Sequence, residues 1–155
     1  MEEVVNKLIN LSKTISTMES CTGGAVVNAI TNISGASSVL KYSAVTYSNE
    51  FKIKMGVDEN IINEYSVYSM ETAKEMSKKI SIFTDSDYGI GVTGKLKRFD
   101  PNNLVGEDDL VFVSIYDKEK NIFHELKLQA QYETRIDNKN MIIDEIVKKL
   151  LSIIN

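Results

Sequence analysis

Near the start of the chain a serine is followed by a cysteine, a threonine and two glycines, in Glu19-Ser20-Cys21-Thr22-Gly23-Gly24. Ser20 is a candidate nucleophile. A hydroxyl held in a strand-to-helix turn attacks a carbonyl carbon once a base takes its proton. The two glycines permit close backbone approach, and free N–H groups at a helix start can receive an anion or an oxyanion. The competing reading makes Ser20 or Thr22 a plain helix N-cap, and the local pattern alone favours it. No Gly-Lys-Ser/Thr ending of a phosphate loop follows, and glycines do not flank the serine as in a nucleophile elbow. A nucleophilic serine needs a base. The one histidine, His124, falls in a late strand and reads as an ordinary surface residue. Lys52 is better placed, in Tyr47-Ser48-Asn49-Glu50-Phe51-Lys52. A lysine serves as a base when burial or a neighbouring cation lowers its pKa, although a solvated helix lysine is the commoner case. Tyr47 could relay a proton or orient the lysine, or simply pack. Cys21 could offer a thiol, but a small buried residue is its commoner role. Arg135 could clamp a carboxylate or phosphate, or pair on the surface with Glu133 or Asp137.

These residues are far apart in sequence, so secondary structure must bring them together. Val4, Val5, Leu8, Ile9 and Leu11 follow helical spacing and predict a helix over Glu2 to Lys13. Thr14 to Met18 is β-branched and predicts a strand; Ala25 to Ile33 resumes helical spacing and stops at Ser34-Gly35. Val39 to Tyr47 predicts a second strand, Asn49 to Met55 a short helix, and Asp58 caps a further short turn. Ser69 is the expected N-cap of a helix whose buried face is Ala73, Met76, Ile80 and Phe83. Tyr88 to Thr93 predicts a third strand ending at Gly94, and Leu110 to Asp117 with Asn121 to Ala130 a hairpin. Asp137 to Ile154 predicts the last helix. The order αβ-αβ-αβ-ββ-α implies a parallel portion covered by helices and at least one antiparallel strand. If the first three strands are parallel, Ser20, Tyr47-Ser48-Asn49 and Thr93-Gly94 share one carboxyl edge, where open α/β sheets bind ligands.

Composition narrows the classes. The 155 residues suit one domain over 1–155, and 43% hydrophobic content supports a real core. A formal charge of −4 argues against a nucleic-acid binder. One cysteine excludes an intrachain disulfide and a Cys-based zinc cluster, and one histidine leaves no His-rich metal site. No apolar run is long enough for a membrane span, and the acidic Met1-Glu2-Glu3 start is unlike a signal peptide. A cytoplasmic protein with no membrane partner is expected. Lys95 to Asp109 is polar, holds the only proline, and reads as a long loop.

The Glu19-Ser20-Cys21-Thr22-Gly23-Gly24 block, Gly35-Ala36-Ser37-Ser38, Val45-Thr46-Tyr47-Ser48-Asn49-Glu50-Phe51-Lys52 and Val92-Thr93-Gly94 together resemble the C-terminal domain family of the competence-damage-inducible CinA proteins. The resemblance runs from Thr17 to Gly94 and resumes near Arg135. It implies a three-layer α/β/α sandwich with a mixed, mostly parallel sheet. It implies an amidase that hydrolyses nicotinamide mononucleotide to nicotinic acid mononucleotide and ammonia, a step of NAD salvage, with no metal or cofactor. By matching positions, Ser20 would be the nucleophile, Lys52 its base and Tyr47 an assistant. Glu19, Cys21, Thr22, Gly23, Gly24, Asn49, Thr93, Gly94 and Arg135 would form the substrate site. A homodimer is the implied assembly, and 155 residues would hold the amidase-like domain alone. The pattern departs after Thr93-Gly94, where Lys95-Leu96-Lys97-Arg98-Phe99-Asp100-Pro101 replaces a Gly-Pro-rich loop. Three expectations follow. The chain is an amidase, or a non-catalytic nucleotide-binding or protein-interaction module of the same fold, or a hydrolase whose Lys95, Lys97 and Arg98 meet a different anionic substrate. For that basic cluster a solvated loop is the simpler expectation.

Overall fold

The computed structural model describes residues 1–98 and 100–155. Phe99, in the expected loop, lies outside the described residues. A five-stranded sheet carries the fold, with β1 Ile15–Glu19, β2 Leu40–Val45, β3 Tyr88–Gly94, β4 Leu110–Asp117 and β5 Ile122–Gln129. Their spatial order is β2-β1-β3-β4-β5. β1 pairs parallel with β2 and β3, whereas β4 runs antiparallel to both β3 and β5. Four strands therefore point one way and β4 alone is reversed, so the sheet is mixed as the element order required.

Among the described residues six α-helices flank the sheet: α1 Glu2–Asn10, α2 Ala25–Thr31, α3 Asn49–Lys54, α4 Glu59–Tyr65, α5 Met70–Thr84 and α6 Arg135–Ile153. Val4, Leu8, Val26, Ile30, Ile142, Ile146 and Leu150 of α1, α2 and α6 pack on Ile15, Ile90, Val92, Val113 and Ile115. On the other face Met76 and Ile80 of α5 and Ile62 of α4 pack on Met18 and Ala44. The strand period of two sorts these residues: Ile90 and Val92 go to the first face, Gly89 and Gly91 to the second.

The small residues let α5 lie close against β3. A Cβ on Gly91 would stand 2.3 Å from the Ala73 carbonyl oxygen, and one on Gly89 2.0 Å from that of Ser77. Hydroxyls fill this tight layer, with Ser77 Oγ bonded to Ser114 Oγ at 2.9 Å and Ser16 Oγ to Thr84 Oγ1 at 2.8 Å.

Several boundaries differ from the pattern-based expectation. α1 stops at Asn10, because Ser12 takes a φ of +54° and the Lys13 N–H turns back to Leu8 O. The turn expected at Asp58 is a full helix, capped by Asp58 Oδ1 on the Asn60 N–H. α6 begins two residues early, because Thr134 is its N-cap and Thr134 Oγ1 accepts from the Asp137 N–H. Arg135 thus stands in the first turn of a helix and not in a loop. Ser69 caps α5 as expected, accepting from the Thr72 N–H at 3.1 Å. Among the described residues no helix is long and apolar enough to cross a membrane.

Candidate active site

Strand alternation places the serine. Ser16 and Met18 of β1 face α5, so the next residue of that parity, Ser20, emerges on the same side at the carboxyl edge. The chain between β2 and α3 arrives beside it. Ser48 caps α3, its Oγ accepting from the Phe51 N–H at 3.2 Å, and the helix carries Lys52 inward. Lys52 is 1% exposed, an unusual position for an ammonium group. Its Nζ lies 3.1 Å from Ser20 Oγ and 2.8 Å from the Thr46 carbonyl oxygen. Burial pulls the Lys52 pKa down from 10.5 to about 8, with the Asp100 carboxylate opposing that shift. A largely dry, neutral-capable amine in hydrogen-bond reach of a serine hydroxyl has the geometry that a nucleophile and its base require.

The preceding residue has a different task. Glu19 is fully buried, and its carboxylate accepts from the backbone N–H groups of Gly24 at 3.1 Å, Val26 at 3.1 Å and Val27 at 2.8 Å. Thr17 Oγ1 adds a fourth bond at 3.2 Å. Glu19 thus fills the start of α2 and holds the turn in shape. Of the backbone N–H groups from Cys21 to Gly24 expected to meet an anion, two are committed. The Gly24 N–H is taken by Glu19 and the Gly23 N–H by Ser20 O. Gly23 and Gly24 supply left-handed φ angles of +60° and +92° that fold the chain back on itself.

The serine opens into a cleft of about 680 Å³. Of the remaining sequence candidates, Cys21, Tyr47, Asn49, Gly94 and Arg135 line it. Cys21 is 4% exposed, and burial pushes its thiol up to about 12, so it is a poor nucleophile at neutral pH. Tyr47 is exposed at the rim, where Arg135 Nη2 approaches its hydroxyl at 3.4 Å. Glu19, Thr22, Gly23, Gly24 and Thr93 do not line the cleft. Thr93 has the parity of Gly91, faces α5, and donates to Val67 O at 2.8 Å. Thr22 is fully buried, with no hydrogen bond from its Oγ1 among the described residues. His124 lies on β5, at the far edge of the sheet from the serine, and burial holds its pKa below the usual imidazole value.

Residues 1–154 match the CinA C-terminal domain. The chain belongs to this family. A protein of Caldanaerobacter subterraneus subsp. tengcongensis, named for competence-damage induction, is 38% identical over 146 residues, covering 92% of this chain and 34% of that protein. A CinA-like protein of Endomicrobium trichonymphae is 48% identical over 88 residues, 56% of this chain and 21% of its own. The chain thus spans about a third or less of the length of these curated relatives. Among solved structures, the competence/damage inducible protein CihA of Agrobacterium tumefaciens superposes with a TM-score of 0.83 at 25% identity, covering 97% of this chain and 93% of that one. A competence or damage-inducible protein of Enterobacter asburiae gives 0.88 at 19% identity over 99% and 98% of the two chains, a likeness of fold.

In this CinA C-terminal domain the loop after Gly94 supplies much of the cleft lining: Lys95 and Arg98, which the sequence reading named, and Asp100 and Asn103, which it missed. Tyr68, Lys95, Arg98, Asp100 and Asn103 all line the cleft. Lys95 corrects the solvated-loop expectation. Its side chain is 2% exposed, its Nζ pairs with Asp108 at 2.9 Å, and it stands 5.2 Å above the Tyr68 ring. The pair joins the two ends of the loop. Lys97 reaches Gln131 O at 3.1 Å and Glu133 at 3.3 Å, tying the loop to the approach to α6. Lys97 and Arg98 are both exposed, as the solvated-loop expectation had them. The sequence signal was present only as an unusual loop, because no motif marks which of its side chains turn inward.

Proposed function

We propose that the chain is an amidohydrolase that cleaves the carboxamide of nicotinamide mononucleotide, giving nicotinic acid mononucleotide and ammonia. The observation that carries this reading is the 3.1 Å contact between Ser20 Oγ and the buried Lys52 Nζ. Ser20 Oγ attacks the carboxamide carbon while neutral Lys52 takes its proton. The C–N bond then breaks, and Lys52 returns the proton to the departing ammonia. A water molecule, deprotonated by the same lysine, cleaves the acyl ester and restores Ser20. Arg135 at the cleft wall supplies a fixed positive charge for the nucleotide's phosphate, with Tyr47 at its side. A cleft of about 680 Å³ is of a size that suits a mononucleotide.

Release of ammonia from nicotinamide mononucleotide by the purified protein tests the proposal. Turnover is expected in the wild type and a loss of roughly 10³-fold or more, on the scale of other nucleophile deletions, in Ser20→Ala. Turnover that survives Ser20→Ala excludes Ser20 as nucleophile. A second reading, binding without hydrolysis, draws on the loop after Gly94, whose bulky side chains form one wall of the cleft. Nucleotide binding with no ammonia release would support it, and turnover of ~1 s⁻¹ or more would remove it.

A further inference from the structure

Four side chains along the loop wall of the cleft form a chain of hydrogen bonds whose direction is set at one end. Asp100 accepts from the Tyr68 hydroxyl, from Asn103 Nδ2 at 2.8 Å and from the Asn102 N–H at 2.9 Å. The Tyr68 bond, aided by Asn103, holds the Asp100 carboxyl below the usual carboxylate range, so near neutral pH it only accepts. Asn103 must therefore turn its NH₂ toward Asp100, which leaves its Oδ1 to accept. Asn49 Nδ2 donates to that oxygen at 3.0 Å. An isolated asparagine amide can stand either way round, but this one cannot. Its N–H edge is committed to the loop, and its Oδ1 takes no hydrogen bond from the described residues.

We propose that Asp100, acting through Asn103, is a positioning residue that holds the Asn49 amide one way round and presents Asn49 Oδ1 in the cleft as an acceptor for a substrate N–H or O–H donor. In a carboxamide nucleotide, the donor is the amide NH₂ or a ribose hydroxyl. Naming the ligand as such a nucleotide rests on the function proposed above; the direction of the relay does not. Asp100 and Asn103 both come from the loop where the chain departs from the family pattern, so the relay is a specificity device of this chain's own loop. In Asp100→Asn the relay can invert. The introduced amide then donates to Asn103, Asn103 turns its NH₂ to Asn49, and Asn49 faces the cleft with N–H groups. In the double exchange Asp100→Asn with Asn103→Asp, the carboxylate moves one place along. It still accepts from Asn49 Nδ2, so the original orientation returns.

The test uses the full chain in two readouts. The first is the side-chain NH₂ signal of Asn49 in protein labelled with ¹⁵N-asparagine, assigned by its loss in Asn49→Leu. Slow solvent exchange of one Asn49 amide proton is expected in the wild type, fast exchange in Asp100→Asn, and slow exchange again in the double exchange. The second is the affinity of each protein, on a Ser20→Ala background, for nicotinamide mononucleotide, nicotinic acid mononucleotide and the 2′-deoxy form of the amide nucleotide. Asp100→Asn is expected to weaken amide-nucleotide binding about 5–10-fold, the worth of one hydrogen bond, and the double exchange to restore it. Loss confined to the amide nucleotides identifies the carboxamide as the donor. Loss shared by amide and acid, and absent from the deoxy form, identifies the 2′-hydroxyl. Unchanged exchange at Asn49 in Asp100→Asn, or a double exchange as impaired as the single one in both readouts, overturns the relay. If the parent binds neither nucleotide, the proposed function falls, and the Asn49 signal alone decides the relay.

Discussion

Replacing Lys52 with methionine separates what the lysine gives to chemistry from what it costs the fold. Lys52 is displaced from an ordinary 10.5 to about 8 because its ammonium is stripped of water. At pH 7 about one such amine in ten is neutral, against about one in three thousand for a free lysine, a gain of about 300-fold in available base. The kcat/KM profile for ammonia release should therefore rise with pH and level off above a midpoint near 8. The same displacement bears on stability. The unfolded chain keeps the lysine proton up to about 10.5, whereas the folded chain gives it up near 8. Between those values the unfolded state binds more protons, so stability rises with pH across that window. Below pH 8 the full penalty stands, roughly 3 kcal/mol at ~1.4 kcal/mol per pH unit. Methionine removes the penalty together with the bonds to Ser20 Oγ and Thr46 O, each worth about 1 kcal/mol. Lys52→Met should thus abolish turnover yet unfold at higher urea than the wild type near pH 7. The advantage should shrink as pH approaches 10.5. Urea titrations of both proteins across this range, read as a wild-type-minus-variant difference so that other titrating groups cancel, provide the measurement. A difference that stays constant with pH, or a flat kcat/KM profile between about pH 7 and 9, refutes a displaced, catalytic lysine.

Two further substitutions probe the scaffold. Glu19→Gln removes the anion that accepts three backbone N–H groups at the start of α2. It should cost about 1–3 kcal/mol in urea unfolding and lower turnover by loosening the Ser20 turn; an unchanged midpoint would show that the turn holds without it. Gly91→Ala places a methyl 2.3 Å from Ala73 O, a backbone atom that only a shift of α5 can clear. A loss of about 1–3 kcal/mol or more is expected, with a lower thermal midpoint, and a wild-type midpoint would contradict the close packing of α5 on β3.

Much of this molecule could be read along the chain. Val4, Val5 and Leu8 repeat at helical spacing and are buried where that spacing put them. Tyr88 to Gly94 alternates glycine and threonine with larger apolar residues, and the two sets face opposite layers. The boundaries were less legible, because a cap acts through one side chain. Thr134 moved the start of α6 and brought Arg135 into its first turn.

The residue types of a serine–lysine pair, the αβ order that makes the first three strands parallel, and the shared carboxyl edge were all determined by sequence, because hydrophobic period and chain connectivity are local or topological properties. Tertiary structure alone decided which polar residues of that edge face the cleft. Glu19 and Thr93 looked like site residues, but strand parity turns Thr93 toward α5, and three N–H groups of α2 and its approach claim Glu19. Lys95 looked solvated and is sealed against Asp108 and Tyr68. Asp100 and Asn103 carried no motif, yet a turn in the loop sets them against Asn49. The displaced pKa of Lys52 belongs to the same class. A lysine is ordinary until the packed chain takes away its water, and no spacing of residues along a sequence measures that.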